Sequence, residues 1–149
     1  MIQWEYKAED YGRKRTLKPG QYRVRIENAE ETTSKKGFDM IKLTLKVSGE
    51  KVTLYYYIVF FPDNPQMTNE KLGGVYDSFN IEPGNLDAAS WIGKAGAADI
   101  INKEDQNGIK QNEIRFFISR AKQYALPEWS EDGTGTVNAE MIDPNKIPF

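Results

Sequence analysis

The chain has 149 residues, with 20 lysine and arginine residues, 22 aspartate and glutamate residues and a formal net charge of −2. It contains no cysteine and no histidine, which argues against disulfides, transition-metal sites and the commonest general base, so we expect neither a metal nor a cofactor. No apolar run approaches the ~20 residues that span a bilayer, and residues 1–5 lack a signal-peptide pattern, so the sequence predicts a cytoplasmic protein without membrane contact.

Two strands are predicted between residues 21 and 47. Apolar and polar side chains alternate there with period two, which is typical of strands with one buried face. The first strand follows Pro19-Gly20, and a turn at Lys35-Lys36-Gly37 separates it from the second. This alternation directs four cations outward, namely Arg23 and Arg25 on the first strand and Lys42 and Lys46 on the second.

A third strand is predicted over residues 51–61, where Pro62 ends it. Its alternation is less regular because both faces are apolar or aromatic. The expected core face comprises Val52, Leu54, Tyr56, Ile58 and Phe60, and the expected outer face includes Lys51, Tyr55 and Tyr57. A shift of one residue would exchange the two faces and place Tyr56 outside.

A helix is predicted next, with Thr68 as its N-cap and Pro83-Gly84 beyond its end. Its apolar side carries Leu72, Val75, Tyr76 and Phe79, and residues 86–91 predict a further short helical turn. Trp91 is expected to pack in the core.

A hairpin closes the domain, with one strand over residues 98–103 and the other over residues 113–119. Asn107-Gly108 between them predicts a type I′ turn, with the alternative that the two strands extend or bulge around it. Five strands with a helix between the third and fourth is the order of the OB-fold, a small Greek-key barrel, although other small barrels share this order. We therefore predict a mainly β, OB-fold-like domain over residues 1–127.

The outward residues of the first three strands form a candidate surface for single-stranded nucleic acid. Cations follow the phosphates, and aromatic rings stack on unpaired bases with little sequence preference. The candidate DNA-binding residues are Arg23, Arg25, Lys35, Lys36, Lys42, Lys46, Lys51, Tyr55 and Tyr57. Tyrosine and lysine are also common on solvated sheets for packing and solubility alone, so the combination carries more weight than any single residue.

Residues 128–149 differ from the rest of the chain. They carry five acidic residues against one lysine, a net charge of −4, whereas residues 1–127 carry a net charge of +2. With few apolar residues to bury, this segment is predicted to be a flexible acidic tail that could compete with nucleic acid. It ends in Ile147-Pro148-Phe149, and the acidic Asp143 lies four residues before Ile147. This ending resembles the C-terminal tip of bacterial single-stranded DNA-binding proteins. The resemblance implies that the tip recruits replication and recombination partners.

The body also resembles a group of phage-encoded single-stranded DNA-binding proteins. The matching stretches begin at Pro19-Gly20-Gln21-Tyr22, Lys35-Lys36-Gly37-Phe38 and Ile92-Gly93-Lys94-Ala95, and the hairpin that ends in Asn112-Glu113-Ile114 fits as well. The resemblance implies an OB-fold, single-strand binding during phage replication or recombination in the host cytoplasm, and a homo-oligomer.

The sequence gives little support to an enzyme. There is no Walker-type glycine-rich loop and no Gly-x-Ser-x-Gly elbow, and the aspartates have no spacing that suggests a metal-dependent nuclease. We therefore expect no catalytic residues. The competing hypothesis is a protein–protein interaction module that docks a partner through the tip and never contacts DNA.

Overall fold

A computed structural model describes residues 1–7 and 16–131. Within these residues, the strands are β1 (Gly20–Thr33), β2 (Asp39–Val47), β3 (Thr53–Val59), β4 (Ala95–Glu104) and β5 (Lys110–Phe117), and the α-helix α1 (Pro65–Ser78) lies between β3 and β4. The predicted order of three strands, a helix and two strands is confirmed. Short 3-10 helices follow at Ala88–Trp91 and Arg120–Lys122.

The five strands form one antiparallel sheet in the order β3-β2-β1-β4-β5. β1, 14 residues long, is the central strand and pairs with one neighbour along each of its two edges. Its first half pairs with β4 and its second half with β2. The edge strands β3 and β5 approach each other, and the rings of Tyr56 and Phe117 lie 4.7 Å apart, centroid to centroid, across the gap.

One face of the sheet curves around the hydrophobic core. Val24, Ile26, Leu43 and Leu45 are fully buried there, as their alternation predicts. Helix α1 covers this core with the apolar side that the sequence predicts, including Leu72 and Val75, and Trp91 is fully buried beside it. Within the described part of the chain, no helix combines the length and the apolar character needed to cross a membrane.

Strand β3 has the register that the sequence favours. Leu54 and Ile58 are buried and Tyr56 is half-buried on the core side, whereas Tyr55 and Tyr57 are exposed. The alternative register with Tyr56 outside is excluded. The strand is shorter than the predicted residues 51–61. Val52 and Phe60 lie just beyond its two ends and still pack on the core, and the Phe60 amide donates to the Asp39 carbonyl of β2.

Helix α1 begins earlier than predicted, and Thr68 is not its N-cap. Asn64 takes that position, with its side-chain Oδ1 accepting a hydrogen bond from the Met67 amide, and Pro65 opens the helix. Proline suits the first helical position because its missing N–H would find no intrahelical partner there. Thr68 instead joins the helix to the end of β3, since its hydroxyl accepts from Phe61 N and donates to Val59 O.

The β4–β5 turn also differs from the prediction. A type I′ turn requires positive φ at both central residues, but of Asn107 and Gly108 only Gly108 has it, at 75°. Asp105 organises a longer loop instead, because its Oδ1 accepts hydrogen bonds from the amides of Asn107 and Ile109. The side chain of Asp105 therefore replaces the backbone geometry expected from Asn-Gly.

Candidate nucleic-acid interface

The outer surface of β1, β2 and β3 brings together most of the predicted basic and aromatic residues. Strand register places Lys42 opposite Tyr57, Thr44 opposite Tyr55, and Lys46 opposite Arg25 on its other side. We call this surface the outer face, defined by Arg25, Lys42, Thr44, Lys46, Tyr55 and Tyr57. It is built by period-two alternation, so each of these side chains points away from the core.

Tyr55 and Tyr57 are the exposed aromatic residues of the outer face, with exposed fractions of 53% and 45%. The ammonium of Lys42 lies 5.0 Å from the centroid of the Tyr55 ring, within the range of a cation–π contact. Tyr56, between them, has the opposite role: burial raises the pKa of its hydroxyl, and its ring packs on Phe117. The face thus presents two rings with a cation beside them.

Arg25 and Lys46 share an acidic partner that the sequence does not predict. The Arg25 guanidinium bonds to Glu27 and to Glu131, each at 2.6 Å, and stacks 4.4 Å from the Trp129 ring centroid. Lys46 Nζ lies 3.5 Å from the other Glu131 oxygen. The hydrogen bond from Arg25 and the nearby positive charges hold the pKa of Glu131 below its usual range. The hydrogen bond to Glu27 is the main reason that the pKa of Arg25 is raised.

The side chain of Arg23 is held by hydrogen bonds within the domain. Its guanidinium donates to the side chain and backbone oxygens of Gln123 and to the Pro127 carbonyl. Partial burial lowers the pKa of Arg23, while Glu128 opposes that change. Gln123 is itself buried and donates to Ser78 and Ile118. We therefore assign Arg23 a structural role and leave it out of the interface.

The remaining candidate cations lie in loops at opposite ends of β2. Lys35 and Lys36 are exposed in the β1–β2 turn, which is closed by a hydrogen bond from the Gly37 amide to the Ser34 carbonyl, with Gly37 at a φ of 88°. Lys51 is exposed just before β3 and does not lie in the strand. These lysines extend the positive charge beyond both ends of the outer face.

Residues 127–131 cross one end of the outer face, and we call them the strap. The backbone oxygen of Ser130 accepts from Gly49 N, and its amide donates to the Ser48 hydroxyl, each at 2.8 Å. The domain boundary predicted at residue 127 therefore falls inside a segment that packs on the sheet. The remaining residues of the predicted tail, with the candidate partner-binding residues Asp143, Ile147, Pro148 and Phe149, lie outside the described residues.

A cleft of about 680 Å³ lies between the edge strands, lined by the three consecutive tyrosines of β3 and by residues 111–115 of β5. It adjoins the outer face through Tyr55 and Tyr57. Asp99, the acid that the sequence places in the fourth strand, is nearly buried and accepts a hydrogen bond from Arg115 Nε at 2.7 Å. In residues 1–7 and 16–131, no three acidic side chains come close enough together to hold a metal ion.

Comparison with curated proteins finds no match. A family model matches residues 5–127, which include all five strands and helix α1. That match ends where the strap begins. The chain belongs to the family described as "Protein of unknown function (DUF669)".

Proposed function

We propose that this protein binds single-stranded DNA on the outer face, with little dependence on base sequence. The observation that carries the proposal is the exposed pair Tyr55 and Tyr57 on β3, with Lys42 opposite on β2. Exposed rings beside cations provide a stacking surface for unpaired bases and a positive track for the phosphates. A duplex hides the faces of its bases, so this surface favours single strands.

The strand order supports an OB-fold for the domain. β1 sits between β2 and β4, the first three strands form a meander, and helix α1 lies between β3 and β4, close to the gap between the edge strands. OB-folds bind oligonucleotides on the surface of their second and third strands. Lys42, Tyr55 and Tyr57 occupy that surface here.

The biological setting that we propose is phage replication or recombination, in which the protein protects single strands. Recruitment of partner proteins is assigned to Ile147-Pro148-Phe149. Both proposals rest on the sequence resemblances and are separate from the DNA-binding proposal. A protein that binds DNA without recruiting partners would leave the role of the outer face intact.

The deciding experiment is fluorescence anisotropy with a labelled single strand of ~30 nucleotides, longer than the footprint of one OB-fold. The protein is titrated at two salt concentrations, and the matching duplex serves as the control. We expect tight, salt-sensitive binding of the single strand that the duplex does not match. An absence of binding at low salt would overturn the proposal and favour the interaction module.

A further inference from the structure

Trp129 and Arg25 repeat an arrangement found elsewhere on the outer face. The Arg25 guanidinium carbon lies 4.4 Å from the Trp129 ring centroid, and the Lys42 ammonium lies 5.0 Å from the Tyr55 ring centroid. In each pair a cation sits against an aromatic ring. The two pairs lie on the same surface, since Arg25 is paired with Lys46 and Tyr55 with Thr44, two residues along β2.

Resting on the single-strand binding proposed above, we propose that Trp129 and Arg25 form a further stacking position for the strand. In the free protein the Glu131 carboxylate occupies the place of a backbone phosphate there. The interface then extends from Tyr57 and Tyr55 on β3 to Trp129 on the strap. Lys46, the β2 partner of Arg25, and Thr44, the β2 partner of Tyr55, are neighbouring same-face positions about 6.6 Å apart along that strand.

The contacts of Glu131 are those that a phosphate would make. One carboxylate oxygen accepts from Arg25 at 2.6 Å and from the Trp129 indole N–H at 3.4 Å, and the other lies 3.5 Å from Lys46 Nζ. Arginine and lysine both bind phosphate oxygens, and arginine does so with a planar fork of donors. A backbone phosphate can therefore replace the carboxylate without a new set of protein donors.

The strap can release Glu131 while it keeps Trp129 in place. The Glu131 side chain is 57% exposed, and exposed ion pairs contribute little to stability. Ser130, in contrast, is held through its backbone by Gly49 and Ser48. The side chain of Glu131 can thus leave the cations while the anchored backbone holds the Trp129 ring over the sheet.

Trp129 fluorescence tests the stacking directly. The chain has three tryptophans; Trp91 is fully buried and Trp4 is 84% exposed, so Trp4→Phe leaves the half-buried Trp129 as the reporter. We expect the unlabelled ~30-nucleotide strand to quench this emission, with no such quenching once Trp129→Phe is added. Trp129→Ala should weaken binding about 5- to 150-fold, as loss of one stacked base does, and Trp129→Phe should restore much of the affinity.

The role of Glu131 is tested by a pair of charge-matched variants. Glu131→Gln should tighten single-strand binding by at least about twofold at low salt, where charge effects are strongest. Glu128→Gln removes the same charge from the same segment, but the field of Glu128 acts on Arg23, so its effect should be smaller. Equal effects of the two variants would overturn the phosphate-mimic assignment.

These outcomes separate the two proposals. If the wild-type protein does not bind the single strand in the anisotropy assay, the proposed function fails. If it binds while Trp129 emission stays constant and Trp129→Ala keeps full affinity, only the further stacking position fails. Thermal unfolding of each variant checks that lost binding does not reflect lost folding.

Discussion

At the scale of single residues, three consecutive tyrosines in β3 lie in two different environments because side chains alternate across a strand. Tyr56 faces the core, where its ring packs on Phe117 and the ammonium of Lys71 lies 5.6 Å from the ring centroid. Tyr55 and Tyr57 face outward and leave about half of their surface open. Packing against the core explains the tyrosine at position 56. It does not explain the two exposed rings of Tyr55 and Tyr57 beside Lys42.

Replacing the exposed side chains of Tyr55 and Tyr57 tests their proposed role in stacking on DNA bases. Tyr55→Ala combined with Tyr57→Ala should weaken single-strand binding by roughly 1–3 kcal/mol for each stacked base that is lost, with the fold intact. Binding is measured by anisotropy and folding by circular dichroism. Tyr124→Ala is the matched control, because Tyr124 is 89% exposed after β5. A folded double variant with wild-type affinity would show that these rings do not contact the strand.

The phosphate contact proposed for Lys42 can be measured apart from stacking. Each phosphate neutralised on a single strand adds about 0.7 to the slope of log affinity against log salt. Lys42→Ala should therefore reduce that slope by about this amount. Lys94→Ala, which removes an exposed lysine from the loop before β4, should leave the slope unchanged. An unaltered slope in Lys42→Ala would exclude a phosphate contact.

At the scale of elements, the packing of helix α1 on β4 depends on the absence of a side chain at Gly96. A Cβ atom there would lie 2.8 Å from Ser78 Oγ and 2.9 Å from the Phe79 ring. Ser78 cannot move away freely, because its hydroxyl bonds to the amide and carbonyl of Ala97. The end of the helix and the start of β4 are thus fixed together at close range.

Gly96→Ala should consequently lower the free energy of unfolding by about 1–3 kcal/mol, the usual cost of overpacking a core. Gly73→Ala is the control within the helix, where the added Cβ meets nothing within 4 Å. It should raise the free energy of unfolding by up to about 1 kcal/mol, since alanine favours helix. Urea denaturation compares the two variants. Unchanged stability in Gly96→Ala would mean that the helix can shift.

Local patterns in the sequence predict the strands and the sides of the sheet. Alternation over a few residues is enough to orient Lys42, Tyr55 and Tyr57, because the side-chain period of a strand is fixed. The predicted start of α1 is wrong because the Asn64 side chain caps the helix and Pro65 opens it, whereas the Thr68 hydroxyl bonds to the end of β3. The type I′ turn was wrong because the hydrogen bonds of Asp105 override the Asn-Gly preference.

The strap could not be predicted in the same way. The hydrogen bond between Arg25 and Glu131 joins residues 106 positions apart, and residues 119–131 show no period that assigns them to an element. Composition suggested only that the acidic segment could compete with nucleic acid. Gln123 and Ser130 fix the path of the chain after β5 through their hydrogen bonds. That path determines which cations the acidic segment contacts.

At the scale of the whole molecule, the charge is divided between two parts of the chain. Residues 1–127 carry a net charge of +2 and residues 128–149 a net charge of −4. In the part of this segment that the structure describes, residues 128–131, Glu131 forms ion pairs with Arg25 and Lys46 of the outer face. For the proposed DNA binding, both parts would affect the affinity, because negative charge near the cations opposes the approach of phosphates.

Removal of residues 145–149 tests the proposed partner recruitment separately from the proposed DNA binding. The change deletes Ile147-Pro148-Phe149 and leaves the strap and the outer face untouched. Thermal stability should stay the same, and single-strand affinity should be equal or slightly higher.

A hydrophobic tip docks by filling an apolar pocket, so immobilised truncated protein should lose the partners that the full chain retains from host extract. Phe149→Ala should reproduce this loss and Ile142→Ala should not. If the truncation instead abolishes DNA binding, the tip is part of the nucleic-acid site.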